Sequence, residues 1–518
     1  MSFELNGSPV EVVDEDGVTL LEVLRGRLGV LSPKDGCSPQ GQCGCCTVLV
    51  DGAPRVSCVT PARRVAGRSV RTVEGLGSAA RDAWTDAFLA CGASQCGFCT
   101  PGIVVRLEGL RTRGASREGA VDRALAAHLC RCTGWQTIRE AWDAVGTAAG
   151  SGRDLEAAGR RATLELGAPQ RVGRDVVLGA AGFSGDTAPE GCLVAVPGQD
   201  GSWMVAESLV EARRRAAKVQ GRRTTLETGP PIELPDGDWE LTLRTSWVDP
   251  AYVETDASWC EPGGEPSPPA ANGGAFGGKR HSPLPAAARA LADEQGRAVL
   301  ALWSREDCVR SSPKRPPIAA GIRSDGTGML RVARTEGIAA AVAAAAPGLV
   351  VEEVGLAGPP TSSALRGAGW AEATVLLAGV GATGPGVRVD GDVVRVDGRH
   401  GGWAEASVDA GVIRVRVDAG DPLDAVVLRS YCIGAAHMAL SWVTSESLAV
   451  DAEGGVQDLT VRSLGVLPAA DTPPIDVIVA DAAGPPVPVS DAVFAAVAAA
   501  VWRRQGCPGA WPTGRPLG

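Results

Sequence analysis

The stretch GCSPQGQCGCC, residues 36–46, opens a group of four spaced cysteines: Cys37, Cys43, Cys46 and Cys58. Three glycines within it allow the backbone to come close to a bound group and to point N–H groups at negative charge. Cys45 lies between two of these cysteines, so we expect its side chain to point away, although it could replace Cys46 as a ligand. The stretch therefore predicts a loop that wraps a negatively charged group held by thiolates.

The spacing of the four cysteines indicates which group they hold. Five, two and eleven residues separate them, which is the plant-type ferredoxin arrangement of a 2Fe-2S cluster, widened by one residue in its first gap. A tetrahedral zinc site is the alternative, but zinc ligands usually come as two separated pairs. The spacing therefore favours a 2Fe-2S cluster.

Local signals around the loop predict the rest of the first domain. The pairs NG at residues 6–7 and DG at residues 51–52 each favour a tight turn, so two hairpins are expected. Thr19 and Glu22 have the spacing of a capping box at the start of a helix. Together these elements predict a ferredoxin-like domain of the β-grasp type over residues 1–77.

A second group of cysteines follows in residues 78–145, where apolar residues recur three and four positions apart, as in helices. Thr100 is expected to cap a helix that Pro101 opens, which sets two thiols beside a positively polarised helix end. A lone CxxC would also suit a redox dithiol or half of a zinc site, so its pairing with CRC carries the prediction of a second 2Fe-2S cluster. The candidate ligands are Cys96, Cys99, Cys130 and Cys132.

Three motifs together resemble the iron–sulfur subunit of the molybdenum hydroxylases, the xanthine dehydrogenase and aldehyde oxidase family: CGCCTV at 43–48, QCGFCTPG at 95–102 and CRCTGW at 130–135. The resemblance covers nearly all of residues 1–150 and implies a helical-bundle domain over residues 78–150. It also implies that Gln95 faces the pterin of a molybdopterin cofactor. The alternative for Gln95 is a surface position at a helix end.

Later stretches resemble the molybdopterin-binding large subunit of the same family: NGGAFGGK at 272–279, SRED at 304–307, ALRGAGW at 364–370 and residues 417–511. The resemblance implies cofactor contacts from Gly274, Phe276, Gly277 and Arg366. Arg366 would orient a substrate carbonyl, and its alternative is a surface ion pair. The expected architecture is α+β and multidomain, with residues 151–172 as a linker and residues 173–518 as an α/β region resembling a truncated molybdopterin-binding subunit.

This region also departs from the family pattern. The segment between Trp370 and Val417 is too short to hold the central cofactor-binding segments of a full large subunit. Gly484 stands where the family has its catalytic Glu, and a glycine cannot act as a general base. The four histidines are dispersed without the spacing of a metal site. No catalytic residue is therefore assigned to this chain.

Composition limits the partners and the compartment. The chain has a net charge of −10 and a pI near 5.2. This negative charge repels phosphate backbones and anionic lipids, so neither nucleic acid nor a membrane is an expected partner. The longest apolar stretch, residues 338–351, is shorter than a bilayer span, and a cytoplasmic location is expected. Five single cysteines are expected to be small buried apolar residues: Cys192, Cys260, Cys308, Cys432 and Cys507.

Three functions stay open for the chain. The resemblance implies an electron-transfer component that passes electrons from molybdopterin to a flavin or other acceptor. Its partners would be a molybdopterin-binding large subunit, which shares the cofactor, and an FAD subunit or other acceptor. A stand-alone electron carrier with a cofactor-free C-terminal interaction module is the second hypothesis, and a chain that binds molybdopterin alone with altered chemistry is the third.

Overall fold

A computed structural model describes residues 1–517 of the chain, except residues 14–16, 115–118, 148–151, 218–225, 227, 269–273, 383, 385 and 482. Asn272 and Gly273 of the glycine-rich stretch and Ala482, beside Gly484, therefore lie outside the described residues. Within the described residues, the strands form four separate sheets.

The first domain is a mixed sheet with the strand order β2-β1-β5-β3-β4. Its elements are β1 (Ser2–Leu5), β2 (Ser8–Glu11), α1 (Leu20–Glu22), β3 (Thr47–Val50), β4 (Ala53–Val56) and β5 (Ser69–Arg71). Both predicted hairpins are confirmed, because β1 pairs with β2 and β3 with β4 in antiparallel register, whereas β1 and β5 are parallel. The capping box between Thr19 and Glu22 is also confirmed at the start of α1.

The second region is helical, as predicted. Its helices are α2 (Ser78–Cys91), α3 (Thr100–Arg111), α4 (Ala120–Leu125) and α5 (Gln136–Ala144). The predicted capping by Thr100 is wrong, because α3 already includes Thr100 and the N-cap residue is Cys99. The Thr100 hydroxyl instead lies 3.1 Å from the hydroxyl of Ser94. The second cysteine of CxxC therefore occupies the helix end itself.

The stretch predicted as a linker contains a helix, α6 (Leu155–Leu166), which the Asp154 side chain caps. Ala158 and Ala162 on this helix are buried in the largest apolar core. Residues 155–166 therefore contribute to the packed interior, and the domain boundaries given above stay a prediction.

The rest of the chain holds the other three sheets, with strand orders β7-β6-β10-β9, β13-β12-β11-β8-β19 and β14-β15-β16-β17-β18. The strands are β6 (Leu193–Pro197), β7 (Trp203–Ala206), β8 (Leu241–Thr245), β9 (Ala257–Cys260), β10 (Val299–Leu302), β11 (Ile318–Ile322), β12 (Gly328–Ala333), β13 (Leu349–Val354), β14 (Val387–Asp390), β15 (Val393–Asp397), β16 (Trp403–Asp409), β17 (Val412–Asp418), β18 (Ile475–Val479) and β19 (Ala510–Trp511). The helices are α7 (Arg174–Val177), α8 (Ser184–Thr187), α9 (Leu209–Arg215), α10 (Leu284–Gln295), α11 (Arg305–Ser311), α12 (Ile338–Ala345), α13 (Trp370–Gly379), α14 (Ala425–Thr444) and α15 (Ser490–Arg504).

Helix α14 is the central element of the C-terminal half. Its length and composition would suit a membrane span, but 89% of its most apolar window is buried inside the fold. The expectation that residues 338–351 are the longest apolar stretch is therefore wrong, because the 20-residue α14 is longer. It packs against α15, and both contribute to the largest core. One face of α14 meets the cysteine-bearing domains.

Candidate functional site

The first four predicted ligands, named here the ferredoxin-like site, lie together and are buried: Cys37, Cys43, Cys46 and Cys58. The Cys37 sulfur accepts hydrogen bonds from the backbone N–H groups of Gln40 and Gln42, at 3.2 and 3.5 Å. Hydrogen bonds from the Cys43 and Cys58 side chains, followed by these N–H groups, hold the pKa of Cys37 well below its ordinary value. The loop therefore favours a thiolate at this position.

Close backbone approach explains the glycines of this loop. Gly44 has a φ of +70°, and a Cβ placed there would lie 2.5 Å from the ring of His128. A Cβ at Gly36 would lie 3.1 Å from the Cys43 sulfur. Cys45 follows Gly44 in the loop, and its sulfur lies 3.7 Å from the Cys43 carbonyl oxygen. Burial raises the pKa of its thiol. Its role as a non-ligand stays a prediction.

The other four predicted ligands, named the helical-domain site, are also buried and close together: Cys96, Cys99, Cys130 and Cys132. The sulfurs of Cys96 and Cys132 lie 3.9 Å apart. Hydrogen bonds from the Cys132 and Cys99 side chains hold the pKa of Cys130 well below its ordinary value. Each cysteine of CxxC thus lies beside one cysteine of CRC: Cys96 beside Cys132 and Cys99 beside Cys130. The sequence motifs alone do not show this pairing.

Thiols in contact across the two motifs suit a 2Fe-2S cluster, in which four thiolates are shared between two irons. Among the described residues, no group of three or more His, Cys, Asp or Glu side chains is arranged to hold a single metal ion. The donor set, all sulfur, buried and beside backbone N–H groups, fits two such clusters.

Two of the four histidines lie behind the cysteine loops. His128 is 3.3 Å from the Thr47 hydroxyl, and burial lowers its pKa to about 3. His437 on α14 is 3.2 Å from the Leu467 carbonyl oxygen, and burial lowers its pKa to about 4. Both rings are therefore neutral at physiological pH and act as packing groups at the loops.

Gln95 is buried, so the alternative of a surface position is wrong. Its side-chain N–H groups donate to the Cys132 carbonyl oxygen at 2.9 Å and to the Ser430 hydroxyl at 3.0 Å. Its Oε1 has no hydrogen-bond partner among the described residues, but the cavity beside it measures only about 10 Å³. That volume is at the lower limit for one water molecule. A pterin does not fit beside Gln95 in this arrangement, and its predicted role toward that cofactor stays a prediction.

The glycine-rich loop packs against the chain itself. A Cβ at Gly274 would lie 3.5 Å from the Cys132 sulfur, and one at Gly277 would lie 2.3 Å from the Ala364 carbonyl oxygen. Phe276, which lies between Gly274 and Gly277 in sequence, has a φ of +43°. The Arg366 guanidinium carbon lies 3.7 Å from the centre of the Phe276 ring. The loop therefore joins the helical-domain site to the segment around Arg366.

Arg366 is buried, so the surface position of the alternative is wrong, whereas its ion pair is present, with the partly exposed Asp491. Its Nε and Nη2 lie 3.3 and 3.2 Å from the Met438 sulfur on α14, and its Nη1 lies 3.6 Å from Asp491. A cavity of about 930 Å³ adjoins it and is also lined by Phe276 and Gly277. Gln95 and Gly274 are not part of its wall, so the structure brings together only three of the five predicted cofactor residues.

The wall of this large cavity holds side chains that the sequence pattern did not indicate. His281 and His400, far apart in sequence, both line it, and so does Glu165 of α6. Glu165 accepts hydrogen bonds from the Ser490 backbone N–H at 3.0 Å and from the Ser490 hydroxyl. The exposed Gly484 is not among the lining residues and presents no carboxylate.

The C-terminal half also reaches into both cysteine loops. Arg131, between two predicted ligands, makes a buried two-pronged ion pair with Glu446, with one N···O distance of 2.7 Å. Arg305 of α11 donates to the Gly36 carbonyl oxygen at 2.8 Å, next to Cys37. Neither pairing could be predicted, because the partners are hundreds of residues apart in sequence.

Two sequence profiles match the N-terminal region: a 2Fe-2S iron-sulfur cluster binding domain at residues 3–68 and a 2Fe-2S binding domain at residues 72–143. The nicotine 6-hydroxylase small subunit of Paenarthrobacter nicotinovorans is 42% identical over 142 residues, which are 27% of this chain and 86% of that protein. The xanthine dehydrogenase iron-sulfur-binding subunit of Escherichia coli O157:H7 is 39% identical over 138 residues, which are 26% of this chain and 86% of that protein.

The fold of the whole chain is also similar to a solved structure. The aldehyde oxidoreductase from Desulfovibrio desulfuricans superposes with a TM-score of 0.72 at 15% identity, over 96% of this chain and 97% of that chain. The expected α+β multidomain architecture, with two N-terminal cluster-binding domains and an α/β region after them, is confirmed.

Proposed function

Because this chain belongs to the family of 2Fe-2S subunits of the molybdenum hydroxylases, we propose that it carries electrons from a molybdopterin centre to a flavin or another acceptor. It is an oxidoreductase component with two 2Fe-2S-binding domains. When bound, each cluster supplies a centre that accepts and releases one electron at a time. The eight cysteines of the ferredoxin-like and helical-domain sites are the proposed ligands.

The observation that carries this proposal is the direct contact between the two cysteine loops. The backbone N–H of Leu129 donates to the carbonyl oxygen of Cys43 at 3.0 Å, and Leu129 precedes the ligand Cys130. A Cβ at Gly102 of α3 would lie 2.5 Å from the Gly44 carbonyl oxygen, so α3 packs against the first loop. A short path of covalent and hydrogen bonds thus connects the two sets of thiolates.

A partner chain completes the enzyme in this proposal. Gly484 offers no general base, so substrate oxidation needs a carboxylate from elsewhere. Phe276, Gly277 and Arg366 would contribute one wall of a shared molybdopterin site from the large cavity. The proposed partners are a molybdopterin-binding large subunit, together with an FAD subunit or other acceptor, and the proposed location is the cytoplasm.

One observation favours the second candidate, a stand-alone electron carrier whose C-terminal half binds no cofactor. The spaces beside Gln95 and beside Met438 measure only about 10 and 30 Å³. Both are far below the several hundred Å³ of ordinary ligand pockets, about 300 to 1,000 Å³. The two candidates differ in whether molybdenum ever accompanies the chain.

Metal analysis of the full chain, purified alone and with candidate partner subunits, tests the proposal. We expect about four irons and four acid-labile sulfides per chain in both preparations. Molybdenum only in the complex supports the first candidate, and molybdenum in neither preparation supports the second. Molybdenum in the lone chain would instead show that it binds the cofactor by itself. A colourless chain after anaerobic reconstitution would contradict electron transfer altogether.

A further inference from the structure

Arg305 places a buried positive charge beside the ferredoxin-like site. It is the first residue of α11, and its side chain is buried. Its guanidinium donates to two backbone carbonyl oxygens, of Gly36 at 2.8 Å and of Val253 at 2.6 Å. Gly36 lies close to the Cys43 sulfur, because a Cβ placed at Gly36 would be 3.1 Å from it. The positive charge of Arg305 is therefore separated from the predicted thiolates by one backbone residue, Gly36.

Arg305 has no carboxylate partner at ion-pair distance within the part of the chain that the structure describes. The other cations of the neighbourhood are paired: Lys34 with Asp186, Arg213 with Asp35, Lys314 with Asp249 and Lys279 with Glu254. Asp256, the next acidic residue after Glu254, has two buried carboxylate oxygens without a hydrogen-bond partner among the described residues, and it forms no ion pair with Arg305 there. A buried cation without a counter-ion is costly, so the arrangement is stabilised when an anionic group occupies the cysteine loop.

The helical-domain site has the opposite arrangement. Arg131 lies between Cys130 and Cys132, but its charge is neutralised by the buried carboxylate of Glu446. Its Nε donates to the neutral carbonyl oxygen of Pro250 at 3.1 Å. A buried cation therefore stands near each site, and of the two only Arg131 has an ion-pair partner among the described residues. The buried carboxylate of Glu306, next to Arg305 in sequence, accepts a hydrogen bond from the Gln40 side chain at 3.0 Å.

We propose that Arg305 raises the reduction potential of the ferredoxin-like site above that of the helical-domain site and so sets the direction of electron flow. Reduction adds one negative charge, and a nearby cation in a medium of low dielectric constant stabilises that charge. One electron leaves the helical-domain site, which is oxidised, and enters the ferredoxin-like site, which is reduced, with no bond made or broken. The inference rests on the proposed function and gives the C-terminal half a role in it.

EPR-monitored redox titration of the reconstituted full chain tests this inference, with Arg305→Gln and Arg305→Lys compared with the wild type. The signal that persists in Cys99→Ser identifies the ferredoxin-like site. We expect Arg305→Gln to lower the reduced-to-oxidised ratio of that site about tenfold at the wild-type midpoint, which is about 59 mV for a one-electron couple. Arg305→Lys keeps the charge and is expected to change the ratio far less.

The matched control is Arg297→Gln, which removes an exposed arginine paired with Glu207 and should shift neither potential. Glu446→Gln is the second variant, because it leaves Arg131 uncompensated and should raise the potential of the helical-domain site. An unchanged potential in Arg305→Gln or in Glu446→Gln, or an equal shift of both sites, would overturn the inference. Failure of the proposed function would instead show as the absence of one or both cluster signals in the wild type.

Discussion

Single cysteines in this chain differ in what surrounds each sulfur. The eight predicted ligands lie beside other sulfurs or backbone N–H groups, whereas Cys308 is buried alone and burial raises its pKa to about 12. Of the five single cysteines expected to be buried, Cys260, Cys308 and Cys432 are fully buried, and Cys192 and Cys507 are partly exposed. Sulfur neighbours, rather than burial, therefore distinguish the eight predicted ligands from the five single cysteines, and Cys45 shares such neighbours with the predicted ligands.

The ligand assignment predicts different results for two buried cysteines. Cys99→Ser should remove about half of the total EPR intensity of the reduced chain, because one of two clusters loses a thiolate. Cys308→Ser is the matched control and should leave the intensity unchanged. Equal losses from both variants, measured by spin quantification, would contradict the assignment.

Among the elements, α14 determines how the helical-domain site is closed. Gly434 of α14 faces the loop between α4 and α5, where a Cβ would lie 1.8 Å from the Cys132 carbonyl oxygen. The same helix supplies Ser430, which accepts a hydrogen bond from Gln95. Its glycine therefore serves close packing against the cluster-binding loop and not a change of backbone direction.

Gly434→Ala should destabilise the helical-domain site. The added methyl group meets a backbone oxygen, which cannot rotate away as a side chain would, so we expect a loss of about 3 kcal/mol in the free energy of unfolding. Thermal unfolding and iron content of the purified variant measure this effect. Gly26→Ala, whose Cβ would meet nothing within 4 Å, is the control. Equal melting temperatures and iron contents for the two variants would show that α14 does not hold the loop.

In the whole molecule, the two halves of the chain share one core around the cysteines. Trp247, Leu448 and Val461 from the C-terminal half are buried in the same apolar cluster as the predicted cysteine ligands. Trp135, which follows the CRC loop, donates from its indole N–H to the Leu467 carbonyl oxygen at 3.1 Å. The C-terminal half therefore shields both loops from solvent.

In a fragment of residues 1–150, the two clusters should consequently be less protected from oxygen than in the full chain. We expect its visible absorbance to bleach in air about tenfold faster, which corresponds to about 1.4 kcal/mol less protection against local opening. The full chain, reconstituted and exposed to air in parallel, is the control. Equal bleaching rates would show that the C-terminal half does not cover the loops.

The sequence by itself determined the elements whose signals are local. The two hairpin turns and the capping box each depend on residues a few positions apart, and all were present as predicted. The helix start at Cys99 was missed by one position, because proline is tolerated throughout the first turn.

Only the tertiary structure decided which distant residues meet. The contact of Cys96 with Cys132, the placement of Arg305 beside Gly36 and the closure of the space at Gln95 by α14 each join residues from different elements. No periodicity or spacing encodes such pairs, since they arise from packing apolar faces whose order along the chain does not fix their neighbours. The sequence thus supplied the eight predicted thiolate ligands, and the packing of the C-terminal half determined the charges and the space around them.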